Sequence, residues 1–578
     1  MARTPLLLCA GLAACAATPR PFPVTGPLLV DTDLQPVSVE CRPDPSKKEP
    51  DRQTCAPAEY VSPFVWDQVD KFVFEPLSRA LFFDQSGEAD NANSLDEVAD
   101  SAWFTNRVGD KLVTHDELVR GQCKPEDMLP LATAVKDGEW VIDHGKDNGS
   151  TLGFRVTVPG KGLYLLKADD KTEPERASAA SAIGASLYNA VGFNTSCEQV
   201  VMIRKEQLKL TPGLTVVSNA GISSPFDDAA LDKVLASTTQ MPNHMVRMQA
   251  SKWLDGLPIG PFKYTGTRPD DPNDTVPHEQ RRELRGGKVL AAWLNHWDAR
   301  EQNSMDVWEA QNPKEKRSSP GFVRHYIIDT SETLGGDSGG EDLTRRLGDS
   351  YAIDLKDTLV DFVTFGAIAR PWDGREDVKG RERFHFFSAD LFDPEKWKTL
   401  YPNPAFGRMS ERDAAWMARK IAHFSPNDVR TLVSAGQFQD PTDADYITRL
   451  LLSRQRAILK RYLTRLSPLG EVHVTAAGLV CATDFARLRL LDPEARYRYE
   501  VVVHRGATRT TVPVQVGAEG QVCFQAAHGA PHGASDGDPS RLVRYEITNG
   551  TAAGPLVVHT YDLDARGTRL AGVTRSER

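Results

Sequence analysis

A chain of 578 residues, 40% hydrophobic and 26% charged, has the make-up of a globular protein of roughly two to four domains with ample core. Its net charge of −10 argues against a nucleic-acid partner, because binding the phosphate backbone needs a basic face. No stretch reaches the ~20 consecutive apolar residues that a membrane-spanning helix requires.

In chain order, Met1-Ala2-Arg3-Thr4 precedes a short, mostly apolar run from Leu6 to Ala14, and then Cys15. A positive start, a short apolar core and small residues before the cut are the marks of a secretory signal. Leu12-Ala13-Ala14-Cys15 resembles the lipobox of bacterial lipoproteins. That resemblance implies removal of residues 1–14, acylation of Cys15, and an exported chain held by lipid to the outer membrane or at the periplasmic face. Ala16 stands where inner-membrane retention signals carry Asp, which favours the outer membrane. Residues 15–60, rich in Pro, Lys and Asp, read as a tether.

Beyond Cys9 and Cys15, the cysteines are Cys41, Cys55, Cys123, Cys197, Cys481 and Cys523, with no C-x-x-C among them. Their dispersal argues against a metal site, and an even number in an exported chain suggests disulfides. Cys481 and Cys523 lie on neighbouring strand-like runs and are expected to pair. Cys41 and Cys55 enclose a short polar loop and are the second expected pair.

Residues 61–143 read as an N-terminal extension of short amphipathic pieces, including 66–81 and 115–120. A central unit is expected over 144–467. It opens with two strand-like runs, 153–158 and 162–168; in the second, Leu163, Leu165 and Lys167 share one face and Tyr164 and Leu166 the other. A helix follows, with Pro174 suiting its first turn, apolar residues recurring from Ala177 to Val191, and Gly192 at its end. A further helix over 279–293 leads into Leu294-Asn295-His296-Trp297-Asp298. Runs 304–309 and 322–329 form a hairpin around the polar segment 311–320. Helices are expected over 410–424, over 426–435 with Ser425 as N-cap, and over 444–463, whose arginines read as a solvated face. Beyond Pro468 the texture changes to alternating strands such as 472–474, 497–504 and 556–561, predicting a C-terminal β domain, a sandwich, over 468–578. The fold class is therefore α+β.

Three elements stand in an order with chemical meaning. Lys167 ends a strand just before a helix, where it can reach the phosphates of a nucleotide. His296-x-Asp298-Ala-Arg300-x-x-Asn303 carries an acid able to orient a hydroxyl and take its proton, then an amide able to hold a metal ion. Tyr326-Ile327-Ile328-Asp329 is an apolar strand ending in an acid that completes a Mg²⁺ site of few protein oxygens. The arrangement resembles the atypical kinase-like families: HipA-type kinases, CotH-type spore-coat kinases and the phosphoinositide-kinase-like group. A second resemblance, longer but bringing no activity, is to an uncharacterised family of exported bacterial lipoproteins. It is carried by Asp100-Ser101-Ala102-Trp103-Phe104-Thr105-Asn106-Arg107, Pro258-Ile259-Gly260-Pro261-Phe262 and Arg281-Arg282-Glu283-Leu284-Arg285-Gly286.

The kinase-like resemblance implies a two-lobed core using Mg²⁺ and ATP and an acceptor that is a protein or a small molecule. It implies Asp298 and Arg300 as catalytic residues, Lys167 on phosphate, Asn303 and Asp329 on metal, and 145–153 as the phosphate-covering loop, flexing at Gly149 and Gly153. The chain also departs from the pattern. Thr330 and Ser331 follow the acid where typical kinases have Phe and Gly, and mid-helix there is Ala180-Ser181-Ala182 rather than a glutamate. Glu175 is the substitute partner for Lys167, or a residue favourably placed at the helix dipole. These departures, and the scarcity of ATP outside the cytoplasm, keep open an alternative: an inactive kinase-like scaffold whose β domain binds a surface partner or glycan. No Gly-x-x-x-x-Gly-Lys-Ser/Thr element occurs, which excludes a P-loop enzyme. His278-Glu279 reads as capping chemistry, and the Asp270, Asp271, Asn273, Asp274 loop as a Pro-rich turn rather than a Ca²⁺ site.

Overall fold

The computed structural model describes residues 31–43, 53–74, 87–109, 113–133, 139–146, 151–217, 222–336, 341–491, 496–505, 508–527 and 538–575. Cys15, the expected signal and part of the tether, as well as Gly149, lie outside the described residues. The architecture is mixed α+β with several sheets. Among the described residues no helix is long and apolar enough to cross a membrane.

The first sheet is built on the hairpin Gly153–Val158 and Gly162–Ala168, paired antiparallel with Gly153 opposite Lys167. Trp140–Gly145 flanks it on one side and Met245–Lys252 on the other. Met245–Lys252 also pairs with Glu198–Ile203. Alternation places Phe154, Val156, Tyr164 and Leu166 on one face, where they form a core with Ile142, Val201 and Met248. The boundary expected at 144 falls inside Trp140–Gly145, so this unit begins by 139.

A helical body follows: Arg176–Val191, Arg282–Leu294, Glu411–Ala422, Pro426–Ser434 and Pro441–Tyr462 share one core. Ser410 and Ser425 cap their helices with reciprocal boxes to Asp413 and Asp428, satisfying backbone N–H groups that have no partner within the helix. Arg176–Val191 is buried almost all round, which its run of Ala, Ser and Gly permits. At Gly184 a Cβ would stand 2.8 Å from Thr330 Cβ, so the absent side chain brings this helix against the turn that follows Asp329.

The 61–143 extension does not stand apart from the helical body: Trp103, Phe104, Val108 and Leu118 are buried in the same cluster as Ile183, Leu290, Trp416 and Ile447. Nor is the arginine face of Pro441–Tyr462 simply solvated. Arg454 is buried, donates to the carbonyls of Ala292 (2.6 Å), Trp293 (3.0 Å) and Ser388 (2.7 Å), and lies over the Phe392 ring at 3.6 Å.

A second sheet carries the antiparallel pair Ser304–Ala310 and Gly321–Ile327, with Asn194–Thr195 parallel to the latter. Beyond the helices, two antiparallel sheets of four and five strands pack around one core, with Val480 and Phe524 from one meeting Val503, Tyr545 and Val558 from the other. Cys481 and Cys523 are directly opposed on adjacent strands and are joined. Cys41–Cys55 and Cys123–Cys197 are joined as well; three disulfides are compatible with an exported protein.

Candidate functional site

Strand Gly162–Ala168 delivers Lys167 at its end, and strand Gly321–Ile327 runs on into Asp329. The loop after Arg282–Leu294 turns at Asn295, in left-handed backbone (φ 55°), and carries Asp298, Arg300 and Asn303. Ile328 N–H donates to the Asn303 carbonyl at 3.1 Å, which ties that loop to the end of the strand. Lys167 Nζ lies 3.0 Å from Asp329 Oδ2. Asp329 Oδ1 accepts from Ser331 Oγ (2.7 Å) and N–H (3.2 Å). Asp298 Oδ2 accepts from Asn303 Nδ2 at 2.8 Å, and its Oδ1 faces Arg300 Nε at 2.9 Å. Lys167 and Asp329 are thus paired at two strand ends, and the Asp298, Arg300 and Asn303 group is tied to the second of them.

The two acids differ in their electrostatics. Burial pushes Asp298 up to about 6, against the pull of Arg300 and Asn303. Burial acts the same way on Asp329, but Lys167 and the Ser331 hydrogen bonds outweigh it and hold Asp329 down at about 2. Burial would lower Lys167, yet Asp329 and then Glu198 raise it overall. Burial lowers His296 to about 4, so its imidazole is neutral; Nδ1 sits 2.9 Å from the Tyr188 hydroxyl.

Two of the expected residues do other work. Glu175 is not the partner of Lys167: it faces Arg247 and Arg383, each at 3.5 Å, and accepts from Gln439 N–H. Gly153 is not a flexible point of a phosphate loop. It lies within a strand, where a Cβ would stand 2.4 Å from the Leu166 carbonyl oxygen, so glycine there serves close strand packing.

The structure adds residues that sequence reading gave no role. Glu198, on the strand Glu198–Ile203, is buried near Lys167 and held by four donors: Ser181 Oγ (3.1 Å), Ser196 Oγ (2.6 Å), Gln249 Nε2 (3.0 Å) and Ser251 Oγ. The helix thus contributes Ser181 as a donor to this acid, whose one sequence trace is a charge opening an apolar run. Glu332, three residues past Asp329, is pushed by burial up to about 7, against Arg176 at 3.6 Å. Arg176 also donates to the Ser331 carbonyl at 2.8 Å, pinning this segment. Lys146 is a second lysine near Lys167; burial and then Lys167 repulsion lower it to about 8. Elsewhere, His278 Nε2 lies 2.7 Å from Asp274 Oδ2, and Asp274 accepts from Arg268 N–H at 2.6 Å, so Asp274 closes its own loop.

No protein-family model matches this chain, and no curated protein matches it. Among solved structures it is similar to a crystal structure of the Golgi casein kinase with Mn/ADP bound, at 11% identity over 64% of this chain and 77% of that chain, with a TM-score of 0.24. Another crystal structure of the Golgi casein kinase covers 61% of this chain and 86% of its own, at 10% identity and a TM-score of 0.25. Scores of this size decide nothing about fold or function.

Proposed function

We propose that these residues form a cleft that binds a Mg²⁺-nucleotide and transfers a phosphoryl group, within a kinase-like, two-lobed unit over residues 139–467 of an exported, membrane-tethered protein. The observation that carries this reading is the pairing of Lys167 with Asp329 and of Asp298 with Asn303, whose carbonyl accepts from the residue before Asp329. They come from a strand end, a post-helix loop and a second strand end, in the order that the chemistry needs. Lys167 binds donor phosphate. Asp298 orients the acceptor hydroxyl: its oxygen forms the new bond to phosphorus as the bond to the departing nucleotide oxygen breaks, and its proton passes to Asp298. Glu198 and the Asp329 carboxylate hold Lys167 in place. Arg300 holds Asp298 and is itself stacked over Tyr401 at 5.0 Å.

Asn303 and Asp329 offer an amide oxygen and a carboxylate kept ionised, the hard-oxygen donor set that Mg²⁺ prefers. Held there by Asn303 and Asp329, the metal would supply positive charge to offset that of the donor phosphates. The acceptor class remains a protein or a small molecule.

Calorimetric titration with Mg²⁺-ATP, Mg²⁺-GTP and Mn²⁺-ATP tests the reading. Asp329→Asn is expected to lose the metal-dependent part of binding. Asp298→Asn is expected to keep binding and lose transfer, because Asp298 acts on the acceptor only in the transition state. Absence of binding by all three at millimolar concentration overturns the reading. A second reading rests on Asp298 itself. Both its oxygens are engaged, by Arg300 and by Asn303, as suits an inactive scaffold whose β domain binds a surface partner or glycan. Binding without turnover in the parent protein selects it.

A further inference from the structure

Helix Leu355–Thr364 is mounted in reverse for a body surrounded by water. Its polar side holds it to the protein. Asp354, its N-cap, pairs with Lys398; Asp357 accepts from Ser350 Oγ at 3.0 Å; Arg370 bridges Asp357 (3.3 Å) and Asp361 (2.6 Å). The opposite stripe, Leu355, Leu359, Phe362 and Val363, follows the i, i+4, i+7, i+8 spacing of one helix face and points outward. Phe362 is 78% exposed, and Phe365, just past the helix end, 96%. A contiguous apolar face of this kind marks an interaction surface rather than a scatter of single residues.

A second apolar group is linked to this helix through residues 400–401. On the segment 64–74, Trp66 is 61% exposed, and Val69, Val73 and Phe74 are exposed with it. Within that segment Phe72 meets the Tyr401 ring at 6.0 Å. The neighbouring Leu400 carbonyl accepts from Ala352 N–H at 2.7 Å, just ahead of the outward-facing helix. Residues 400–401 thus join the two groups, and Arg300 of the cleft stacks on Tyr401.

We propose that these two groups seat on a lipid surface. Two observations favour lipid over a protein partner or a second copy. The apolar groups come from two separate segments whose outermost side chains are Trp66, Phe362 and Phe365, the residue types that an interfacial helix buries among lipid. The acids of the helix and its cap, Asp354, Asp357 and Asp361, are each committed to a cation, so none is left to repel anionic headgroups. An amphipathic helix lying in the interface plane buries just such a stripe. This seat brings the mouth of the cleft to the membrane and goes beyond the phosphotransfer reading; neither depends on the other.

The test uses the full chain as Cys15→Ser, so that no acyl group contributes, in flotation with phosphatidylcholine vesicles and with phosphatidylcholine/phosphatidylglycerol vesicles. The protein is expected to float with both, with little effect of salt, because apolar burial rather than charge holds it. The double substitution Leu359→Glu/Phe362→Glu is expected to lower the partition coefficient by ~10-fold or more. Its thermal midpoint and its Mg²⁺-ATP titration should match the parent, since these side chains make no buried contact. Failure of the parent to float, or equal flotation of the double variant, overturns the proposal. Sedimentation showing a dimer that Leu359→Glu/Phe362→Glu dissociates, with no flotation by the parent, assigns the face to a second copy instead.

Discussion

Asp298 and Asp329 are near enough for Asp329 to raise Asp298, yet burial and pairing push the two in opposite directions. For transfer, Asp298 must be ionised, so the rate is expected to rise with pH through about 6. Arg300→Ala removes the strongest opposing charge and is expected to move that limb to higher pH, which a pH–rate profile checks. The linkage to stability has opposite signs for the two acids. Between about 4 and about 6 the folded state holds the Asp298 proton more tightly than the unfolded chain does, so stability falls as pH rises through that window, by about 3 kcal/mol at most. The contribution of Asp329 is present above the ordinary carboxylate range and is lost as pH falls toward about 2. At this scale the Asp-x-x-x-x-Asn loop was legible, because both residues lie within one turn of chain and hydrogen-bond to each other. Glu198 was not. Its nearness to Lys167 is created by strand Met245–Lys252, in which Gln249 is opposite Lys167 on one side and Val200 on the other.

Among elements, Pro441–Tyr462 shows how charge misleads a reader of helices. Arg454 lies on the face of Leu451, Gln455 and Ile458, all buried, so the helical period had already turned it inward. Its guanidinium serves the last-turn carbonyls of Arg282–Leu294, of which Ala292 otherwise receives only the Asn295 N–H at 3.3 Å. Arg454→Ala is expected to cost ~3 kcal/mol or more, since it strands buried acceptors. Arg454→Lys should recover only part of this, lacking the planar fork; urea denaturation checks both. The Cys481–Cys523 bridge closes a separation of 42 residues, for which chain entropy assigns about 4 kcal/mol. Cys481→Ala/Cys523→Ala is expected to lower the unfolding midpoint of the sandwich accordingly.

Over the whole molecule, one buried acid joins three parts of the chain. Asp96, in the segment ahead of the first sheet, meets Arg282 at 2.6 Å, Arg419 at 3.5 Å, and Arg575 of the last strand. Asp96→Asn leaves these guanidinium groups buried with less opposing charge and is expected to cost ~3–5 kcal/mol. Calorimetry should also show unfolding of the C-terminal sandwich separating from that of the helical body.

The sequence by itself determined the hairpin 153–168, the Ser425 cap, the change to β texture past Pro468, and the order of Lys167, Asp298, Asn303 and Asp329. Each rests on periodicity, capping or spacing among residues a few positions apart. The tertiary structure alone decided that Lys167 pairs with Asp329 and not with Glu175, that Trp103 and Phe104 belong to the helical core, and that Leu355–Thr364 turns its apolar face outward. Those outcomes depend on which distant segments pack together. A buried charge takes whichever partner the packing brings within reach, and an amphipathic stripe states only that it needs cover, not what supplies it.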